Sequence, residues 1–204
     1  MTEPREIATD ATQIAPGVWH WQIANSAIGG GTSSCHLLAA GGEAVLIDPL
    51  RLEPAAMAGL PEPTAIVLTA RCHQRSAWRY RTEFGIGVWA PEGAPVADEE
   101  PDHRYSEGDE LPGGLRAVLT PGPEPVHYCL FRVESPRVLF CSDLLMGSEG
   151  DRIAFVPGEY HDDPAGTRRS VERLLDLPFE VLCLDHGAAI SDDPRGAIRS
   201  LLSG

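Results

Sequence analysis

Four apolar runs in this chain each end abruptly in polar residues: AVLI closes on Asp48, IVLT leads into Ala70-Arg71-Cys72-His73, LFCS meets Asp143, and VLCL meets Asp185-His186. Short continuous apolar runs bounded in this way have the length and composition of strands buried on both faces. A chain with several of them must cover both sides of a sheet with helices or with a second sheet. Where such strands are aligned, their carboxyl ends gather on one edge, and loops there can build a site without disturbing the core. The four polar termini are therefore expected to converge.

The segments between these runs set the order of elements. GVWHWQIA (17–24), CHLLAA (35–40) and EAVLIDP (43–49) read as three strands, separated by the glycine-rich IGGGTSS and the turn Gly41-Gly42. A short helix in EPAAMAGL precedes the strand AIVLT. The stretch QRSAWRYRTEFG then places Ala77, Trp78, Arg81 and Phe84 on one helical face and stops at Gly85. IGVWAP, LRAVLTPG and HYCLFRV follow as strands, with PRVLFCSD closing a hairpin at ESP, while the proline-rich stretch 91–125 reads as largely surface loop. Asp163 as N-cap and Pro164 at the first helical position open the helix DPAGTRRSVERLLDL, and FEVLCLDHG reads as a buried strand before the terminal helix DPRGAIRSLL.

Strands followed by helices, twice over, predict a mixed α/β chain arranged as a four-layer αββα sandwich, with one half ending near residue 110. With 204 residues, 43% of them hydrophobic, the chain has enough apolar side chain for one domain spanning 1–204. Residues 1–15 are expected to form a loose N-terminal segment.

Charge narrows the partners. Sixteen Lys+Arg against thirty Asp+Glu give a net charge of -14, a field that repels phosphate backbones and anionic membrane surfaces. The expected partner is a small molecule, with neither nucleic acid nor membrane. Cys35, Cys72, Cys129, Cys141 and Cys183 are odd in number and sit mostly in strand-like runs, the pattern of reduced thiols in a cytoplasmic protein. No basic segment followed by an apolar run opens the chain, and no stretch approaches the roughly 20 apolar residues of a membrane span. Trp19 and Trp21 share one face of their strand, which suits the core, a pocket wall or a homodimer contact.

From residue 15 to 204, the order of elements resembles the metallo-β-lactamase superfamily. The resemblance rests on LIDP (46–49), the LT of 68–69, TPG (120–122), SDLLMG (142–147) and LDHG (184–187). The longer run SDLLMGSEGDRIAFVPGEYHDDP resembles a divergent bacterial subgroup. The resemblance implies two metal ions, commonly zinc, held by His-x-His-x-Asp-His after the threonine, a His after the Pro-Gly turn, a bridging Asp and a final His. Here those first positions fall on Ala70, Cys72, Gln74 and Arg75, the position after Pro121-Gly122 is Pro123, and Asp143 and His186 match outright. Alanine and proline offer no lone pair, a glutamine amide is a poor zinc ligand, and an arginine opposes metal charge.

Two readings follow from that degenerate metal site. In the first, a single zinc or iron ion sits on Asp143, His186 and Cys72, with His73 replacing Cys72 if the turn slips by one residue, and activates water to hydrolyse a small ester, thioester or lactone. In the second, no ion binds stoichiometrically. Arg75 then either pairs with Asp143 or lies exposed on the following helix, and the inherited cleft binds a small molecule or works through Arg75, Asp143 and His186. Asp48 is expected behind the site, supporting the loop by backbone hydrogen bonds. His127, Tyr160 and His161 are the candidates for the substrate pocket, and capping of the following helix is the competing role of the GEYHDDP segment.

Overall fold

The computed structural model describes residues 3–95, 98–148 and 152–204. Glu149 to Asp151, inside the subgroup-like run, lie outside them. Among the described residues, seven strands form the first sheet in sequential order: β1 (Thr12–Ala15), β2 (Val18–Asn25), β3 (Gly31–Ala40), β4 (Glu43–Ile47), β5 (Ala65–Val67), β6 (Gly87–Pro91) and β7 (His103–Tyr105). β1 to β4 pair antiparallel, and β4 to β7 pair parallel. Helices α1 (Pro54–Met57) and α2 (Ala77–Phe84) cross over between the parallel strands.

The second sheet contains β8 (Glu110–Leu111), β9 (Leu115–Leu119), β10 (Tyr128–Arg132), β11 (Val138–Gly147), β12 (Ile153–Phe155) and β13 (Val181–His186). Helix α3 (Pro164–Leu174) precedes β13, and α4 (Pro194–Ser203) ends the chain. β13 runs parallel to β11, while the other pairs of this sheet are antiparallel.

Three apolar layers alternate with the sheets. Trp21, Leu37, Leu46 and Ile66 pack outward against Met57, Ala77 and Tyr80 around α1 and α2. Leu38, Val45, Ile47 and Val67 face Leu130, Phe140, Val181 and Cys183 between the sheets. Phe131, Leu139, Leu182 and Leu184 pack against Val171, Leu174 and Ile198 of α3 and α4. The period of two along β13, with odd residues inward and even residues outward, is what a strand buried on both faces requires. The architecture is the αββα sandwich.

Several local expectations need correction. Residues 3–15 are not loose: buried Ala8 bridges Leu52 in parallel, and β1 adds to the first sheet at β2. Thr32 to Ser34 belong to β3 rather than to a loop. The stretch 91–125 contains β7 and β8, with Tyr105 and Leu111 buried; strands of two or three residues are too short to display a period. Among the described residues, no helix is long and apolar enough to cross a membrane.

Candidate functional site

The polar strand ends do converge. β4 is followed directly by Asp48, whose backbone enters the left-handed region (φ 49°), a conformation aspartate tolerates better than most residues. Its carboxylate accepts the Thr69 N–H at 2.8 Å and the Thr69 hydroxyl at 2.6 Å, tying the end of β4 to the residue that opens the next loop. Residues Arg71–Gln74 then form a 3-10 turn.

That turn decides an open question. In a 3-10 turn the strict alternation of a strand no longer applies, and Cys72 and His73 both reach Asp143. Cys72 Sγ lies 3.6 Å and His73 Nε2 3.1 Å from Asp143 Oδ2. No slip of the chain is needed. His73, only 3% exposed, is surrounded by carboxylates. Its Nδ1 stands 3.1 Å from Asp48 Oδ2 and 3.0 Å from the Ser142 hydroxyl, while Asp185 Oδ2 lies 3.5 Å from Nε2. Burial alone works against a charge on this ring, but the fields of Asp143, Cys72 and Asp185 outweigh it and raise the His73 pKa well above its ordinary value.

Arg75 differs from both expectations. It is buried, not exposed on α2, and its partner is Asp185, not Asp143. Nη1 donates to Asp185 Oδ1 at 3.0 Å and Nη2 to Oδ2 at 2.5 Å. Nη1 also donates to the Ser34 carbonyl at 2.8 Å and the Asp48 carbonyl at 3.2 Å. The cause is local: Arg75 has φ 36°, a strained backbone that costs about 1–3 kcal/mol and ends the turn. Asp185 occupies the inward-facing phase of β13, whereas Asp143 is taken up by His73 and His186. Burial disfavours the guanidinium charge, and the Asp185 carboxylate more than offsets it.

Asp143 reaches the cleft because β11 is bulged. Its register against β13 passes from Cys141 opposite Leu184 to Met146 opposite His186, so extra residues of β11 arch away from the ladder and re-aim their side chains. Asp143 Oδ1 faces His186 Nε2 at 3.0 Å, and His186 Nδ1 donates to the Thr32 carbonyl at 2.6 Å. Burial would lower the His186 pKa, but the Asp143 hydrogen bond and the Asp185 field raise it. After His186 the chain turns through Gly187 (φ 135°), where an added Cβ would lie 3.0 Å from the Gly147 Cα. Only glycine fits.

Cys72, His73, Arg75, Asp143 and His186 border a cavity of about 810 Å³, lined also by Tyr160 and His161. His161 Nε2 donates to the Asp143 carbonyl at 3.0 Å, and the Thr167 hydroxyl lies 2.8 Å from its Nδ1. Asp163 caps α3 by accepting the Gly166 N–H at 2.9 Å, so the GEYHDDP segment divides between a cap and the cavity wall. His127 requires a correction: it does not line this cavity. It is fully buried between β9 and β10, with Nδ1 held by Thr120 at 3.0 Å. Gln74 turns away to accept from the Trp78 indole at 2.7 Å.

Sequence reasoning assigned no role to Asp185, Thr69 or Ser142. A signal existed for the first, since a carboxylate in the inward phase of an apolar strand needs a buried cation. Neither hydroxyl is distinguishable from an ordinary loop residue before the strand ends are brought together.

Among the described residues, three overlapping groups place donor atoms close enough to share an ion: Cys72, His73 and Asp143; Asp48, His73 and Asp185; and Asp143, Asp185 and His186. Sulfur, imidazole and carboxylate are the donors that hold zinc or iron. A family model described as the metallo-beta-lactamase superfamily matches residues 70–186, from the ligand-position turn to the final histidine. The chain belongs to the metallo-beta-lactamase superfamily.

Several solved structures share the fold. A metallo-beta-lactamase family protein from Thermus thermophilus is 19% identical, with TM-score 0.67, covering 94% of this chain and 80% of that one. A metallo-beta-lactamase from Pontibacter korlensis is 15% identical, with TM-score 0.70 and coverage of 95% and 97%. A third protein, solved in a di-iron-bound form, is 24% identical, with TM-score 0.63 and coverage of 83% and 93%. Among curated proteins, none matches the chain.

Proposed function

We propose that this chain is a hydrolase-like member of the superfamily that has given up the two-ion centre, holds at most one zinc or iron ion, and acts on a small ester, thioester or lactone. The observation that carries this reading is Arg75. Its guanidinium sits inside the donor cluster, bound to Asp185 through two nitrogens, and it is a permanent cation that no change of pH removes. Ala70 and Pro123 supply no donor where the family has histidines. His73 supports the same conclusion, because its two ring nitrogens are directed at Asp48 on one side and at Asp143 and Asp185 on the other.

The donor set therefore does not fit two ions. The donors that face the cleft, Cys72, Asp143 and His186, suit a single one, which when bound supplies a Lewis acid that polarises a carbonyl and acidifies water. The chain's own residues do the rest. His186 is oriented by its Nδ1–H on the Thr32 carbonyl and, without an ion, directs Nε2 at Asp143; with an ion bound, Nε2 is a ligand in place of carrying a proton, and the Thr32 contact fixes the ring. Arg75 keeps Asp185 from adding a further uncompensated charge beneath them.

A metal-free binding protein is the second reading, favoured by His186, whose two ring nitrogens already have the Thr32 carbonyl and Asp143 as partners. A small uncharged or weakly charged ligand is the partner in either case, since the net charge of -14 disfavours polyanions. The five cysteines are all free thiols, which fits a reducing cytoplasm.

Elemental analysis of protein purified without chelator, joined to an assay with small esters, thioesters and lactones, tests the reading. No more than one ion per chain and measurable turnover are expected. Two tightly held ions would overturn it. Binding without turnover across the panel would select the metal-free protein, and one stoichiometric ion lost in His186→Ala would reject that alternative.

A further inference from the structure

Large apolar side chains seldom stay in water unless something covers them, and a cluster of them around one opening is informative where a single one is not. Among the described residues, four such side chains are exposed: Ile7, Ile28, Val133 and Tyr160. Two of the four line the same cavity. Ile28 is 38% exposed in the 3-10 turn after β2, and Tyr160 is 69% exposed in the turn before α3. These turns come from opposite halves of the sandwich. Met146 and Val156 on the β11–β12 hairpin, Pro157, and Ile190 after β13 line the same cavity. The lining is thus of two kinds: polar groups that include Asp143, His186, Thr32 and Ser33, and apolar side chains that include Ile28, Met146, Val156, Tyr160 and Ile190.

From this division we infer that the cleft selects an uncharged ester or thioester with an extended apolar acyl chain, the carbonyl at the polar groups and the chain along the apolar side chains toward Ile28 and Tyr160. The inference rests on the reading of the cleft as an ester-cleaving site. A volume of about 810 Å³ is at the upper end for a small-molecule pocket and far exceeds what an acetyl group fills. The net charge of -14 disfavours a ligand that is itself strongly negative. Arg152, which also borders the cavity, is engaged within the protein. Hydrolysis adds water across the acyl carbon–oxygen or carbon–sulfur bond, giving a carboxylic acid and an alcohol or thiol, and needs no oxidant or reductant.

Each methylene of chain buried against such side chains strengthens binding about fourfold. Two measurements on the full chain separate the inference from the reading beneath it. The first is calorimetric binding of octanamide against acetamide, neither of which needs to be turned over. The second is hydrolysis of p-nitrophenyl octanoate against p-nitrophenyl acetate. Octanamide is expected to bind at least a hundredfold more tightly than acetamide. Ile28→Asp and Tyr160→Asp are each expected to weaken it about tenfold, while Val133→Asp, an exposed apolar residue that does not line the cleft, leaves it unchanged.

Chain-length preference in both measurements supports both claims. Preferential octanamide binding without ester turnover keeps the acyl groove and rejects the hydrolase reading. Turnover of both esters at rates independent of chain length, with octanamide binding insensitive to Ile28→Asp, overturns the groove and keeps the hydrolase.

Discussion

Arg75 and Asp185 form a two-pronged ion pair with nitrogen–oxygen separations of 3.0 and 2.5 Å, and both side chains are almost wholly withdrawn from solvent. The pair joins the turn after β5 to the end of β13 and so holds the two halves of the sandwich together beneath the cleft. Removing one partner of such a pair leaves a buried charge uncompensated. Arg75→Met is accordingly expected to lower stability by about 3–5 kcal/mol in urea denaturation. Arg75→Met combined with Asp185→Leu should recover most of that loss. If the double variant is as unstable as the two singles added together, the pair is not the source of the effect.

His73 stands between three carboxylates, and its pKa is raised above the ordinary histidine value of 6.5. A raised native pKa contributes stability that is fully present below the unfolded value and is lost as pH rises through the native one. The stability gap between the native protein and His73→Gln should therefore be complete below about pH 6.5 and narrow steadily as pH rises through the neutral and alkaline range. Denaturant midpoints across that range check the sign. A gap that widens with rising pH would contradict the charged ring.

Acid sensitivity should come from two other histidines. Burial pushes His36 down to about 3 and His127 down to about 4 from 6.5, and each has a buried Nε2 without a partner. In the unfolded chain both take up protons near pH 6.5, while in the folded chain neither does until well below. Their stabilising contribution is complete above that pH and declines as pH falls toward the native values, by about 1.4 kcal/mol per pH unit for each residue. His127→Asn should reduce the slope of stability against pH in this window by about one proton. An unchanged slope would show that His127 is not the group responsible.

Thiol chemistry offers a direct probe of the turn. Cys72 is half-buried and lines the cavity, whereas Cys35, Cys129, Cys141 and Cys183 are buried. Titration of the folded protein with a chromogenic disulfide reagent should show one fast thiol, absent in Cys72→Ser, and five thiols after denaturation. Octanamide in the cleft should slow the fast reaction. Several fast thiols in the native state would mean that the layers open more readily than their packing implies.

The layers of the fold were legible because their signal is periodic. The alternation of β13, the buried runs of β4 and β5, and the capped start of α3 at Asp163-Pro164 are all visible in the order of residues, since a strand or helix repeats its demand for burial every two or 3.6 positions. β7 and β8 were not legible, being too short to repeat anything. For the site, the residue types at Ala70, Cys72, Arg75, Asp143 and His186 already set which atoms have lone pairs and which carry permanent charge.

What only the tertiary structure decided is where those atoms point. The 3-10 turn let Cys72 and His73 both face Asp143, where alternation allowed one or the other. The bulge in β11 carried Asp143 into the cleft, and the inward phase of β13 delivered Asp185 to Arg75 across 110 residues of chain. Chemical capacity is a property of each residue, readable in order along the chain. Partnership depends on backbone torsions and sheet register accumulated over distant segments, and no local pattern of side chains encodes that sum.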